Sequence, residues 1–151
     1  ALLRGLIVDA QGRALSPTHT RKGTKRYRYY ALNAAMKACA IGAAALRVNA
    51  GEVEQAVVNE LRALLTAPEI VAQTALAVRE TLPTIDEATV RQALQQFEGL
   101  WSHLFPAEQA RIVQLLVELV VVHEDGLDVV LRTGGLVMLA QELLPTKAEA
   151  A

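Results

Sequence analysis

The sequence predicts an α+β fold in which a small antiparallel β-ribbon and a C-terminal β-hairpin are joined by a bundle of amphipathic helices. Three observations predict it. Residues 1–31 fall into short runs punctuated by Gly12 and Gly23, residues 51–116 place apolar side chains at helical spacing between prolines, and residues 120–132 are rich in valine on both sides of Asp125-Gly126.

Residues 2–8 read as a short strand and Asp9-Ala10-Gln11-Gly12 as the turn that ends it, with Gly12 free to take positive φ. A second strand over residues 13–20 alternates Arg13, Leu15, Pro17 and His19 with Ala14, Ser16, Thr18 and Thr20. Pro17 has no amide to give to a ladder, which places this strand at a sheet edge. Arg21-Lys22-Gly23-Thr24 is a loop, and residues 25–31 form the third strand, with Lys25, Tyr27 and Tyr29 on one face and Arg26, Arg28 and Tyr30 on the other. Neither face is apolar, so the strand suits a ligand better than a core.

Residues 31–45 are rich in alanine but interrupted by Gly42, and they read as a helix or an ordered linker. From Gly51, a face made by Val53, Ala56, Val57, Leu61, Leu64 and Leu65 predicts a helix that ends before Pro68. Residues 69–82 form a second helix, with Ile70, Ala77 and Val78 inward and Pro83 closing it. Thr84 and Glu87 have capping-box spacing, and the helix that follows repeats Val90, Leu94, Phe97, Trp101 and Leu104 close to a coiled-coil seam. Pro106 opens the next helix, striped by Ile112, Val113, Leu116 and Leu119. Residues 120–123 and 127–132 then make a hairpin turning at Asp125-Gly126, a candidate extension of the first sheet. Gly134-Gly135 breaks it, residues 136–144 form a short last helix, and the tail frays.

The net charge of −1 conceals a division. Residues 1–47 hold nine basic side chains against Asp9 alone, giving +8, whereas residues 48–151 carry −9. We divide the chain accordingly into a basic ribbon with its linker (1–47) and a helical part with the C-terminal hairpin (48–151), packed as one unit. Five cations, Arg21, Lys22, Lys25, Arg26 and Arg28, lie within eight positions, beside Tyr27, Tyr29 and Tyr30. Charge and stacking rings together point to nucleic acid, with most of these cations on phosphates and one arginine suited to guanine edges. Arg13 belongs to the same surface. His19 either joins it or hydrogen-bonds within the turn.

The other chemistry-bearing residues point elsewhere. Cys39 is a lone cysteine, so neither an internal disulfide nor a cysteine zinc site is expected, and an apolar setting makes it a small buried hydrophobe. His103 and His123 lack partners at metal-ligand spacing, and Phe97 and Trp101 belong to a core stripe. No apolar run reaches the roughly 18 residues that span a bilayer, so no membrane partner is expected and the protein is placed in the cytoplasm. The chain does not begin with methionine, and we read it as a piece of a longer protein.

Several stretches resemble the C-terminal part of the large serine recombinases, relatives of the resolvases and invertases. They are Leu2-Leu3-Arg4-Gly5-Leu6-Ile7, Gly12-Arg13-Ala14-Leu15-Ser16-Pro17-Thr18-His19-Thr20, Arg26-Tyr27-Arg28-Tyr29-Tyr30, residues 105–118 from Phe105-Pro106 onward, and Asp125-Gly126-Leu127-Asp128. The resemblance implies a DNA-binding ribbon, commonly zinc-stabilised, in a bacterial or phage-related protein that integrates, resolves or inverts DNA. It also implies a coiled coil used for synapsis in some relatives. Where many relatives carry a Cys-x-x-Cys-Gly knuckle this chain has Asp9-Ala10-Gln11-Gly12, so no zinc or other cofactor is expected and packing must hold the ribbon. The family's catalytic serine lies in a domain this chain does not contain, and neither Ser16 nor Ser102 has a nucleophile's context. The expected function is a non-enzymatic DNA-binding module that positions its parent on a recombination site. The alternative is an oligomerisation or synapsis module acting through residues 69–104, whose plainer reading is an intramolecular helical hairpin.

Overall fold

The computed structural model describes residues 1–32 and 47–144. Their order is β1 (Ile7–Asp9), β2 (Leu15–Lys22), β3 (Lys25–Leu32), β4 (Arg47–Asn49), α1 (Ala50–Thr66), α2 (Pro68–Val78), α3 (Glu87–Trp101), α4 (Pro106–Leu116), β5 (Val117–His123), β6 (Gly126–Leu131) and α5 (Thr133–Leu143). The fold is α+β, with two three-stranded sheets. One is the antiparallel sheet β2-β3-β4; the other has the order β1-β5-β6, with β1 parallel to β5.

Residues 2–6 are turn rather than strand. Leu6 N–H donates to the Leu3 carbonyl and Gly5 takes φ +78°, a conformation a strand cannot contain. The three-residue spacing of this turn buries Leu3 and Leu6 together. The turn after β1 matches expectation, with Gly12 at φ +81°. The C-terminal hairpin does extend a sheet, though not the basic one. Its strand β5 aligns Val120, Val121 and Val122 with Ile7, Val8 and Asp9, and the amide of Val120 donates to Leu6 O at 2.8 Å.

Residues 33–46, which hold Cys39 and nearly all of the alanine-rich stretch, lie outside the described residues. Ala31 and Leu32 end β3, and Arg47–Asn49 adds an unforeseen third strand beside it. Asn49 then caps α1 by accepting the Glu52 amide at 3.0 Å. Pro68 begins α2 at a 67° bend from α1. Among the described residues no single helix is long and apolar enough to cross a membrane.

Several helix boundaries differ from expectation. α4 ends at Leu116, so Leu119 lies in β5 rather than on the stripe of that helix. The chain leaves α2 after Val78, four residues before Leu82, through successive tight turns. The cap of α3 is Asp86, not Thr84: its carboxylate accepts from the Thr89 amide and hydroxyl, which hold it below the usual carboxylate range. Sequence spacing alone favoured Thr84 because the pair Thr84/Glu87 imitates a box that begins two residues early.

A single core runs through both parts of the chain, from Leu3, Ile7 and Tyr30 to Phe97, Val120 and Leu139. The stripe Val90, Leu94, Phe97 and Trp101 is buried within it, and the Phe97 and Trp101 rings stand 5.4 Å apart at a 40° tilt. Residues 69–104 therefore bury their seam against their own chain.

Gly134-Gly135, expected as a break between the hairpin and a helix over 136–144, instead lies in the first turn of α5, which begins at Thr133. Gly135 is there because of a close approach, since a Cβ on it would stand 1.8 Å from the backbone oxygen of Leu115, whereas one on Gly134 would meet nothing within 4 Å. Gly135→Ala should therefore destabilise the fold by about 1–3 kcal/mol or more, because backbone must move to admit one methyl. Gly134→Ala should stabilise it by up to ~1 kcal/mol through helix propensity. Urea denaturation of the two variants checks both signs.

Candidate nucleic-acid interface

β2 and β3 pair without a bulge from Leu15↔Leu32 to Lys22↔Lys25, so the loop shrinks to Gly23-Thr24, a two-residue turn of the Gly-X kind that fits strand twist. Pro17 lies on the free edge of this sheet, as expected. The root of the ribbon packs inward. Beyond it, residues 18–28 are exposed without interruption, so about five residues of each strand, ~17 Å, project clear of the core.

Register sorts the side chains onto two faces. His19 opposes Arg28 and Arg21 opposes Arg26 on one; Thr18 opposes Tyr29, Thr20 opposes Tyr27 and Lys22 opposes Lys25 on the other. The two pairs next to the turn are thus cation against cation. Like charges directly across a strand pair are destabilising, and among the described residues Arg21, Lys22, Lys25 and Arg26 have no acidic partner to offset this.

Tyr30 does not belong to the exposed surface. It is fully buried, its hydroxyl accepting from Leu3 N–H at 3.0 Å and donating to Glu54 Oε1 at 2.8 Å. Burial raises its phenol well above the ordinary value, the Leu3 amide opposes this and Glu54 adds to it, so the ring stays a neutral donor. Tyr27 is 38 % exposed on the projecting part. Tyr29 is half-buried beneath the guanidinium of Arg47, whose carbon stands 3.8 Å from the ring centre, so one face of Tyr29 is already stacked. Arg28 reaches Glu54 Oε2 at 3.2 Å and is held rather than loose.

Arg13 is also engaged internally. Its Nε donates to Asp9 Oδ2 at 2.7 Å while the amides of Arg13 and Gln11 donate to Oδ1 at 2.8 and 3.0 Å. Asp9 is 2 % exposed. Burial opposes its charge, but the Arg13 amide and guanidinium with the Gln11 amide outweigh it and hold the carboxyl below its usual range. This ion pair closes the turn at the place where the resemblance would put a zinc knuckle. Among the described residues, no group of three or more His, Cys, Asp or Glu side chains is arranged to hold a metal ion.

The structure thus brings His19, Arg21, Lys22, Lys25, Arg26, Tyr27 and Arg28 onto one projecting ribbon, leaves Tyr29 at its root, and removes Arg13 and Tyr30. Ser16 sits in β2 opposite Ala31 and Ser102 at the end of α3. His123 lies 3.3 Å from Asp128 across the C-terminal hairpin. Sequence reasoning missed Arg4, Arg47 and Glu54. Only Arg4 carried a signal, a lone charge inside an apolar run.

Two variants test these assignments. Tyr30→Phe keeps the ring but leaves the Leu3 amide buried and unpaired, and should lose about 1–3 kcal/mol in denaturant unfolding. Asp9→Asn keeps the shape but turns an amide toward Arg13, and should lose about 1–3 kcal/mol at neutral pH. Because the folded-state pKa of Asp9 is lowered, its contribution is complete above the unfolded-state value near 3.8 and is lost as pH falls through the folded value. The gap between wild type and variant should therefore close below about pH 4, as followed by thermal melts across pH.

No family model, curated protein or solved structure matches this chain.

Proposed function

We propose that this chain is a DNA-binding module of a site-specific serine recombinase, which carries no nucleophile of its own and positions the parent enzyme on a recombination site in double-stranded DNA. The motifs resembling that family supply the identity of the parent, a protein of the bacterial cytoplasm. The observation that carries the binding is the ribbon. Residues 18–28 are all exposed, hold five cations and no acid, and set cation against cation across the strands. A hairpin selected for stability would alternate charges, so this arrangement makes sense when a polyanion neutralises it.

The shape agrees with that partner. A two-stranded ribbon fits a major groove about 12 Å wide and 8.5 Å deep, and phosphates flank it on both sides. Lys22, Lys25 and Arg26 at the tip meet the duplex, while Arg28, oriented by Glu54, meets the backbone closer to the root. Residues 69–104 do not favour the self-association reading, since their apolar seam is already covered by the chain's own core.

Lys25→Glu combined with Arg26→Glu should abolish a gel shift on duplex DNA without changing the circular dichroism, because neither side chain has an ion pair among the described residues. The wild type should lose affinity steeply with salt, by about 0.9 in log–log slope per phosphate contacted. Retention of DNA binding by the double variant would show that the ribbon is not the contact surface.

A further inference from the structure

The ribbon's arginine-bearing face does not end in solvent at its root. There it forms one wall of a cleft of about 370 Å³, whose opposite wall is the N-terminal turn. His19, Arg26 and Arg28 come from the ribbon, and Arg4 comes from the turn. No aspartate or glutamate lines the cleft. Glu54 engages Arg28 from a neighbouring cleft of about 430 Å³ instead.

Arg4 is fixed in place by its backbone. Leu3 before it is fully buried and donates its amide to Tyr30, while Arg4 itself is exposed. Arg4 N–H donates to the Ala1 carbonyl at 3.4 Å, and Arg4 O accepts from Gln114 Nε2 at 3.1 Å. The Arg4 side chain itself is exposed and has no ion pair among the described residues. The fold thus holds a cation, distant in sequence from the ribbon, at the mouth of a cleft with two further arginines and, among the described residues, no acid.

We infer that this cleft seats a backbone phosphate of the bound duplex, with Arg4 as a phosphate contact outside the ribbon. The inference rests on the DNA-binding reading above and deepens it. While the ribbon tip occupies the groove, the strand that borders the groove passes the root on the arginine-bearing side, and one of its phosphodiesters enters between Arg4 and Arg28. Guanidinium groups on two walls supply paired N–H donors in the geometry that phosphate oxygens accept.

Fluorescence anisotropy with a random-sequence duplex, titrated against salt, tests this with the chain, Arg4→Gln, Arg4→Lys and Arg91→Gln. Arg91 is exposed on α3, where it pairs with Glu87 at 3.7 Å, and serves as a control for loss of one charge elsewhere. Arg4→Gln should weaken binding about five- to tenfold at 0.1 M salt and reduce the log–log slope by ~0.9, the weight of one phosphate. Arg4→Lys should keep the slope, since a phosphate accepts lysine as a point charge. Arg91→Gln should match the wild type. If Arg4→Gln matches the wild type in affinity and slope, or if Arg91→Gln weakens binding equally, the phosphate seat is overturned and the ribbon reading stands. If the wild type binds no duplex at all, the ribbon reading falls and the seat falls with it.

Discussion

Tyr30 is fully buried at the root of the ribbon, where its hydroxyl accepts a hydrogen bond from the Leu3 amide and donates one to Glu54. Glu54 also receives the Leu2 amide at 3.4 Å and the Arg28 guanidinium at 3.2 Å. One phenol and one carboxylate therefore join three segments distant in sequence: the N-terminal turn, strand β3 and helix α1. An isolated two-stranded hairpin is marginal in water, and the projecting part of this one has no apolar face. Its direction is set by what holds its root. The same network orients Arg28 and, through Leu3, brings Arg4 alongside it, so the network that fixes the fold also spaces the cations.

The opposed cations give folding and binding opposite responses to salt. In the free protein, Arg21 against Arg26 and Lys22 against Lys25 repel across the ladder, and salt relieves this, since exposed charges are screened beyond about 8 Å at physiological ionic strength. In a complex the same cations release counterions from DNA, and salt opposes that release. The opposed cations thus make the ribbon less stable than its length allows, a cost that the proposed DNA complex would offset. The root compensates with buried apolar groups and a satisfied hydroxyl, neither of which salt affects strongly.

Much of this was legible in the sequence for reasons that are local. The projecting strand announced itself because neither alternating face of residues 25–29 is apolar, and the helices announced themselves through stripes at 3.6-residue spacing. What stayed hidden depends on contacts made far along the chain. Tyr30 lies in the same short basic run as the exposed Tyr27, and its contacts with Leu3 and Glu54, 27 and 24 residues away, tie it into the core. Arg13 looks like part of a cationic surface until Asp9 is seen to be buried beneath it. Gly135 reads as part of the break between the hairpin and the last helix, since nothing within ten residues reveals that the Leu115 carbonyl lies against it. Strand β4 is three residues long, too short for any alternation to register.

The base of the ribbon is held by two constraints. The Asp9–Arg13 ion pair closes the turn between β1 and β2, and the parallel pairing of β1 with β5 ties that turn to the C-terminal hairpin. The ribbon's base is therefore braced from the far end of the chain. The acidic remainder then acts on approach rather than on support. A groove of about 510 Å³ beside β4 is walled by Glu52, Glu124 and Asp125 against the single arginine Arg47, whereas the cleft on the arginine-bearing face has no acid on its wall among the described residues. On the proposed reading, a phosphate backbone would be attracted beside Arg4 more than beside β4, so the charge division of the chain would favour one side of the ribbon for the duplex.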